Sequence, residues 1–294
     1  MIKKFGNYKL FKLIWQKIGM FNKIVLMLAE KILNEKNYLI SEKEAYNLCS
    51  VSGQGILDLI ACAGKIREES KGNKVFSCSI INAKSGRCSQ DCAYCAQSSF
   101  HDTGVPTYPL KGLEEILESA IRFSEAGATC FSMVTSGFML NSDEIKKICQ
   151  AAGEIRKKTS MTVCASLGKL TGSMALQLKD AGITNYHHNL ETAESYSKNV
   201  CTTHGYHEDI ETVKTAVKAG LKICSGGIIG LGETWEQRVE LALTLRELDV
   251  DSIPLNFLNP IPNTKMAGRP LVDPMDALKS IALFRFINPK KNIT

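Results

Sequence analysis

The chain has 294 residues, 44% of them apolar, and a formal net charge of +6, so it can form one large core or two smaller ones. Much of the positive excess lies in the first 24 residues, whose six lysines and lack of acids predict a solvated tail rather than a nucleic-acid surface. The apolar run "IVLMLA" (Ile24 to Ala29) is far too short to cross a membrane, and no secretory cleavage site follows it. We therefore expect neither a nucleic acid nor a membrane as partner.

The N-terminal part of the chain predicts a helical lead-in over residues 1–70, followed by a barrel over 71–294. We expect the first 20 or so residues to be a disordered tail, or to lie upstream of a true start at Met20 or Met27. Helical patterns then follow in "ISEKEAYNLCSV" and "GILDLIACAGKIREES". Ser41 is the expected N-cap of the first of these, with Glu44 as its capping-box partner.

From about residue 73 the chain alternates between two patterns. Short runs of apolar and small residues predict strands, and the stretches between them have the three- and four-residue apolar spacing of amphipathic helices. The six predicted strands are "KVFSCSIINA" (74–83), "TCFSMVTS" (129–136), "MTVCASLG" (161–168), "ITNYHHNL" (183–190), "LKICSGGI" (221–228) and "DSIPLNFL" (251–258).

Repeated strand–helix units predict an α/β fold with a parallel sheet, and this many in one row favours a (β/α) TIM-type barrel over an open sheet. The turns "EAGA", "DAGI" and "KAGL" each end a helix with glycine in the cap position that tolerates left-handed backbone geometry. A seventh strand can start in "KKNIT" at the C-terminus, and no eighth follows. We expect either a partial barrel or a fragment of a longer protein.

Eleven cysteines, an odd number without a secretory signal, indicate a reducing cytoplasm in which cysteines serve metals, catalysis or the core. Cys88, Cys92 and Cys95 follow the first predicted strand in C-x3-C-x2-C spacing, on the face where barrels carry their active sites. Three thiolates can hold three irons of a [4Fe–4S] cluster and leave the fourth iron open for another ligand. The alternatives are buried cysteines, or a zinc site completed from elsewhere in the chain.

The cysteine motif, with Tyr94 before its last cysteine, resembles the radical S-adenosylmethionine (SAM) superfamily, in which the open iron binds SAM. The ordered pieces "NAKSGRCSQDCAYCAQS", "SLGKLT", "YHHNLET", "CTTH", "CSGGIIGLGET" and "PLNFLNPIP" further resemble the biotin synthase family. The resemblance implies sulfur insertion into dethiobiotin by a 5′-deoxyadenosyl radical, with the sulfur supplied by an auxiliary iron–sulfur cluster. Flavodoxin or ferredoxin as electron donor and a homodimer are also implied.

The auxiliary cluster is where the chain departs from many members of that family. Cys164 and Cys224 match two of its ligands, but Ser132 stands where those relatives carry a third cysteine, and the chain ends before their ligand arginine. Cys130 shares a strand face with Ser132, and Cys78 lies on the first strand. We hypothesise that Cys78, Cys130, Cys164 and Cys224 hold a [2Fe–2S] or four-iron cluster, the alternative being that Cys78 and Cys130 only fill the core.

The resemblance also implies the residues of the SAM and substrate sites. Those expected at SAM are Tyr94, Ser136, Gly137, Asn189, Glu191, Gly226, Ile228 and Gly230, and those expected at the substrate are His187, Asn189 and Asn256. Residues 187, 189 and 191 alternate along the fourth predicted strand and so share a face. Thr203 and His204 are expected to contact the SAM carboxylate, and His188, of opposite parity, is expected to be a core histidine.

The other cysteines are not expected to bind metal. Cys201 lies outside the predicted strands, as a surface thiol or close to the SAM pocket, and Cys49, Cys62 and Cys149 fall in helical patterns typical of core positions. Two alternative functions stay open: another small-barrel radical SAM enzyme, such as a hydrogenase maturase, or a truncated iron–sulfur protein without activity.

Overall fold

A computed structural model describes residues 21–73, 75 and 77–294. The predicted N-terminal tail lies outside these residues. The helices of the described residues, numbered along the chain, are α1 (Lys23–Asn34), α2 (Glu42–Cys49), α3 (Gln54–Lys71), α4 (Leu113–Glu125), α5 (Ser142–Lys158), α6 (Gly172–Asp180), α7 (Glu194–Ser197), α8 (Tyr206–Lys218), α9 (Trp235–Glu247) and α10 (Pro274–Ile287). The strands are β1 (Cys78–Lys84), β2 (Cys130–Thr135), β3 (Thr162–Ser166), β4 (Asn185–His187), β5 (Lys222–Cys224), β6 (Gly227–Ile229), β7 (Ser252–Ile253), β8 (Leu255–Phe257) and β9 (Asn292–Ile293).

The chain contains two compact units. The first holds residues 21–73 and 273–290, and the second holds 75, 77–272 and 291–294. Helices α1 to α3 occupy the segment whose pattern predicts helices. Helix α10 packs in the same unit as these helices, whereas the division predicted from the sequence runs 1–70 and 71–294.

The helical unit is stabilised by burial and by local capping. Leu28, Leu48, Leu59 and Phe284 are fully buried in it. At the start of α2 the Ser41 hydroxyl accepts from the Glu44 N–H at 3.3 Å, and the Glu44 carboxylate accepts from the Ser41 N–H at 2.8 Å. These two bonds are the predicted capping box, and they satisfy backbone donors that the first turn leaves free.

The second unit confirms the predicted α/β fold with a parallel sheet. Seven strands pair in parallel in the order β1-β2-β3-β4-β5-β7-β9, and within the described residues β1 and β9 do not pair with each other. The arrangement is that of a partial TIM barrel. "KKNIT" supplies β9, the seventh strand that the sequence suggested.

Two of the predicted strands are each divided into two. The run 221–228 forms β5 and then β6, and the run 251–258 forms β7 and then β8. Strands β6 and β8 pair in a separate two-stranded ladder, in which Ile228 is the partner of Asn256. Apolar content alone does not reveal the break, because both halves of each run carry the composition of a strand.

Glycine ends three helices of the barrel as predicted. Gly127, Gly182 and Gly220 follow α4, α6 and α8 with φ of 87°, 90° and 78°. These left-handed conformations let each helix turn sharply into the next strand. No helix in the part of the chain that the structure describes is long and apolar enough to span a membrane.

The capping box at α2 gives a stability prediction. Replacing Ser41 with Ala removes the side-chain acceptor of the Glu44 N–H and should lower the free energy of unfolding by about 1 kcal/mol. Urea unfolding followed by circular dichroism measures the change. Ser52→Ala, at an exposed serine without a capping role, is the control and should stay within about 0.5 kcal/mol of the wild type. An equal loss in both variants would contradict the capping role.

Candidate functional site

The cysteine loop begins directly after β1. Gly86 and Arg87 both have positive φ, 77° and 53°, and turn the chain away from the strand. A Cβ on Gly86 would lie 2.4 Å from the Thr107 hydroxyl oxygen, so only glycine fits there. The Cys88 N–H donates to the Gln97 carbonyl at 2.9 Å and closes the loop.

All three thiols of the loop line one cavity of about 280 Å³. Burial and the neighbouring Cys88 raise the pKa of Cys95, while a hydrogen bond with Cys201 and burial raise the pKa of Cys92. Without a metal, Cys92 and Cys95 therefore favour the protonated form. A bound cation reverses that preference, because it stabilises the thiolates. The donor set thus fits an iron–sulfur cluster held by three cysteines.

The loop after β4 supplies a buried carboxylate to the same cavity. Glu191 has a φ of 63°, and its Oε2 atom is buried with no hydrogen-bond partner among the described residues. Burial raises the pKa of Glu191 to about 7, against the lowering effect of hydrogen bonds with Tyr94 and Asn189. A buried acceptor without a partner fits a ligand that brings hydroxyl donors. The Asn189 Oδ1 accepts from the Gly226 N–H at 3.2 Å.

Several predicted SAM and substrate residues line this cavity. They are Tyr94, Ser136, Gly137, His187, Asn189 and Glu191. Strand β4 ends at His187. His187, Asn189 and Glu191 therefore reach the same cavity through the conformation of the loop, and not because side chains alternate along a strand. The Ser136 hydroxyl donates to the Gly86 carbonyl at 2.9 Å and ties the end of β2 to the cysteine loop.

Four other predicted residues lie outside the cavity lining, and their roles stay predictions. Gly226 packs backbone against backbone, since a Cβ there would lie 2.0 Å from the Pro254 carbonyl oxygen. Ile228 packs with Tyr94 on one apolar cluster. The Gly230 N–H donates to the Glu233 carboxylate at 2.9 Å, and Asn256 is exposed on β8.

Asp209, which the sequence did not single out, completes the cavity wall with His188 and His204. The Asp209 carboxylate accepts from His188 Nε2 at 2.9 Å and lies 3.3 Å from His204 Nε2. His188 therefore has a hydrogen-bond partner and also lines the cavity, so its assignment to the core was wrong. The hydrogen bond with Asp209, followed by the one with Cys201, raises the pKa of His204 to about 10. Its other ring nitrogen lies 2.7 Å from the Gln90 side-chain oxygen.

Asp91, between two cysteines of the motif, anchors the "CTTH" segment to the cysteine loop. Its carboxylate accepts from the Thr202 N–H at 2.8 Å, the Thr202 hydroxyl at 2.6 Å and the Thr203 N–H at 3.2 Å. Cys201 is brought to the cavity, and a hydrogen bond from Cys92 is the main cause that lowers its pKa to about 4. The only sequence signal that the "CTTH" segment lies beside the cysteine loop was that "CTTH" belongs to the family pattern.

The four cysteines of the predicted auxiliary site lie on β1, β2, β3 and β5. The sulfur atoms of Cys78 and Cys130 are 3.2 Å apart, and those of Cys130 and Cys164 are 2.8 Å apart. Cys224 interacts electrostatically with Cys78 and Cys130. Burial raises the pKa of Cys224 to about 11, and the hydrogen bond with Cys164 is the main cause that raises the pKa of Cys130 to about 12. Four neighbouring thiols, three of which (Cys78, Cys130 and Cys224) have a raised pKa, together fit a cationic cluster.

The surroundings of the four thiols are polar in places. Ser132 is fully buried, and its hydroxyl has no hydrogen-bond partner among the described residues. Within the same residues, no three His, Cys, Asp or Glu side chains are arranged to hold a single metal ion.

Of the three cysteines expected in the core, Cys49 is buried, while Cys62 and Cys149 are half-buried.

Family models match nearly all of the barrel. Residues 83–245, more than half of the chain, match the radical SAM superfamily, and residues 254–294 match the biotin and thiamin synthesis associated domain. Methylornithine synthase (PylB) has a similar fold, with a TM-score of 0.79 at 19% identity over 90% of this chain and 78% of that one. HydG, a maturase of the [FeFe]-hydrogenase, has a TM-score of 0.78 at 21% identity over 92% of this chain and 62% of that one.

Curated relatives are much more similar in sequence. The biotin synthase of Syntrophus aciditrophicus is 57% identical over 91% of this chain and 82% of its own length. That of Carboxydothermus hydrogenoformans is 49% identical over 93% of this chain and 84% of its own length. With these identities, and with a cysteine-lined cavity at the carboxyl ends of the barrel strands, the chain belongs to the biotin synthase family of the radical SAM superfamily.

Proposed function

We propose that Cys88, Cys92 and Cys95 hold the [4Fe–4S] cluster through which this chain acts as a biotin synthase, a sulfurtransferase that inserts sulfur into dethiobiotin to form biotin. The observation that carries the proposal is that one cavity is lined by three cysteine thiols and by a buried carboxylate, one oxygen of which has no hydrogen-bond partner in the part of the chain that the structure describes. The first group suits iron, and the second suits the ribose hydroxyls of SAM. The family match supports both assignments.

When bound, the cluster and SAM supply a 5′-deoxyadenosyl radical able to remove hydrogen from a saturated carbon. The chain's own residues bind and orient the reactants. Glu191 accepts hydrogen bonds from the ribose, and the Asn189 and His187 side chains offer polar contacts for the ureido ring.

We further propose that Cys78, Cys130, Cys164 and Cys224 hold the auxiliary cluster as an all-thiolate site. Two sulfur–sulfur contacts of 3.2 and 2.8 Å support this ligand set. Ser132, on β2 beside these cysteines, has a hydroxyl in place of a thiol. With four cysteine ligands, the proposed site does not need a ligand at position 132. Four cysteines suit a four-iron cluster as well as a [2Fe–2S] cluster.

His187 lies close to both proposed centres. It lines the cavity, and the nearby Cys78 partly offsets the lowering of its pKa by burial. In the strand register it is the partner of Cys224. This position, between the cavity and the four thiols, suits a residue that holds dethiobiotin within reach of the sulfur donor.

The remaining parts of the proposal concern partners and compartment. A small electron-transfer protein, flavodoxin or ferredoxin, is proposed to reduce the enzyme, which we propose acts as a homodimer in the cytoplasm. The proposal of a reducing compartment rests on the eleven cysteines of the sequence, an odd number.

Replacing Cys95 with Ala should abolish biotin formation and the rescue of a biotin auxotroph, because the cluster loses one of three protein ligands. The EPR signal of the reduced cluster with SAM should also disappear. Cys149→Ala, at a thiol on α5 outside the cavity, is the matched control and should retain both. Full activity of the Cys95 variant would reject the ligand assignment.

Replacing Cys130 with Ala should lower the iron content per chain after anaerobic reconstitution, while the EPR response to SAM is retained. The expected loss is the iron of the auxiliary cluster alone, since Cys130 lies outside the SAM cavity lining. Iron analysis of the Cys78→Ala and Cys149→Ala chains gives the second test and the control. An unchanged iron content in both the Cys130 and the Cys78 variants would reject the four-thiol site.

The raised pKa of Glu191 predicts a pH dependence of SAM binding. The ribose hydroxyls need the ionised carboxylate, so affinity should rise nearly tenfold per pH unit below about 7 and level off above it. Glu191→Gln should bind SAM about ten- to hundredfold more weakly and remove this dependence. Titration calorimetry of the reconstituted protein with SAM measures the affinity, and Glu194→Gln, at an exposed glutamate, is the control. A wild-type affinity that falls as pH rises would contradict the assignment.

A further inference from the structure

One aspartate in the cavity wall holds two histidines that come from different parts of the chain. Asp209 lies in the first turn of α8, and its side chain is 15% exposed. Its Oδ1 atom accepts from His188 Nε2 at 2.9 Å, and its Oδ2 atom lies 3.3 Å from His204 Nε2. Because each oxygen faces one ring, the two imidazoles are fixed relative to each other on one side of the cavity.

His204 is held at its other edge as well. Its Nδ1 atom lies 2.7 Å from Gln90 Oε1, and the Gln90 Nε2 group donates to the Ser89 hydroxyl at 3.1 Å, so the amide oxygen is the atom that faces the ring. The Phe138 ring packs on His204 with a centroid distance of 5.6 Å. With an oxygen acceptor at each ring nitrogen, His204 carries both protons and a positive charge.

That charge matters because of what else lines the cavity. Among the described residues, no lysine or arginine is part of the lining, and its basic side chains are His187, His188 and His204. SAM carries a carboxylate, and a carboxylate is bound most strongly by a charged donor. Of the three histidines, His204 is the one whose two nitrogens both face oxygen acceptors, and the hydrogen bond with Asp209 is the main cause that raises its pKa to about 10.

We propose that Asp209 is a positioning residue for SAM, which holds the His204 imidazolium, with His188 beside it, toward the SAM carboxylate. This inference rests on the proposed binding of SAM in this cavity. Asp209 acts through His204 and does not touch the ligand, because its two oxygens are taken by the two rings. The charge of Asp209 is thus used to stabilise a cation, as in other pairs of a buried aspartate and a histidine.

The sign of the effect separates this role from simple repulsion. A carboxylate that only lay near the SAM carboxylate would weaken binding, and its removal would tighten it. A carboxylate that holds an imidazolium in place does the reverse. Asp209→Asn keeps the shape of the side chain but presents an NH2 group to one of the two rings, which then loses its acceptor.

The test is titration calorimetry of the full-length, anaerobically reconstituted protein with SAM and with decarboxylated SAM. Asp209→Asn should bind SAM about tenfold more weakly and bind decarboxylated SAM as the wild type does. Asp209→Ala, a second removal of the carboxylate, and His204→Gln should show the same selective loss. The double variant of Asp209→Asn with His204→Gln should lose no more than the larger single loss, since one residue acts through the other.

Glu211→Gln is the matched control, because it removes a carboxylate from an exposed position of the same helix, where it pairs with Lys214. Its affinity for both ligands should stay within about twofold of the wild type.

Three results would overturn the inference: equal losses for SAM and decarboxylated SAM, which indicate a merely structural role, tighter binding of SAM by the Asp209 variants, or additive losses in the double variant. A wild-type protein that does not bind SAM would instead reject the proposed function, so the two failures are distinct.

Discussion

The parallel pairing of β1 to β5 is the constraint on which the rest of this barrel depends. Parallel strands place all their carboxyl ends at one edge, so the loops after β1, β2 and β4 meet there and enclose a single cavity. The same register sets Cys78 opposite Cys130 and His187 opposite Cys224. One backbone arrangement thus builds both the cavity and the group of four thiols.

Five acidic groups of the two sites have pKa values shifted in the same direction. Burial and thiol–thiol contacts raise the pKa of Cys92, Cys95, Cys130 and Cys224, and burial raises that of Glu191. The surroundings of each of these groups favour its neutral form more than water does. Cationic clusters and a ligand with hydroxyl donors supply what the protein alone does not, because they stabilise the ionised forms.

The cysteine motif, the glycine turns and the Ser41 capping box were all predictable because each depends on residues close together in the chain. Spacing within a few residues determines which backbone donors a cap can reach and which thiols one loop can present. Strand parity also placed Cys130 and Ser132 on one face. Contacts across more than 100 residues, such as Asp91 with Thr202, carry no comparable local pattern.

Other features required the packed structure. The runs 221–228 and 251–258 read as single strands, but each is divided so that β6 and β8 form their own ladder. His188 has the parity of a core residue, yet Asp209 on α8 makes it part of the cavity wall. In both cases the deciding partner comes from a distant element, which periodicity does not detect.

The sequence by itself therefore determined the barrel class, the family and the three-cysteine loop, since these are recorded in local spacing and in ordered motifs. Only the tertiary structure decided what surrounds that loop: Cys201 beside Cys92, and His204 and His188 on Asp209. The physical reason is that hydrogen bonds and burial depend on distances in space, and those distances exist only once the strands have paired.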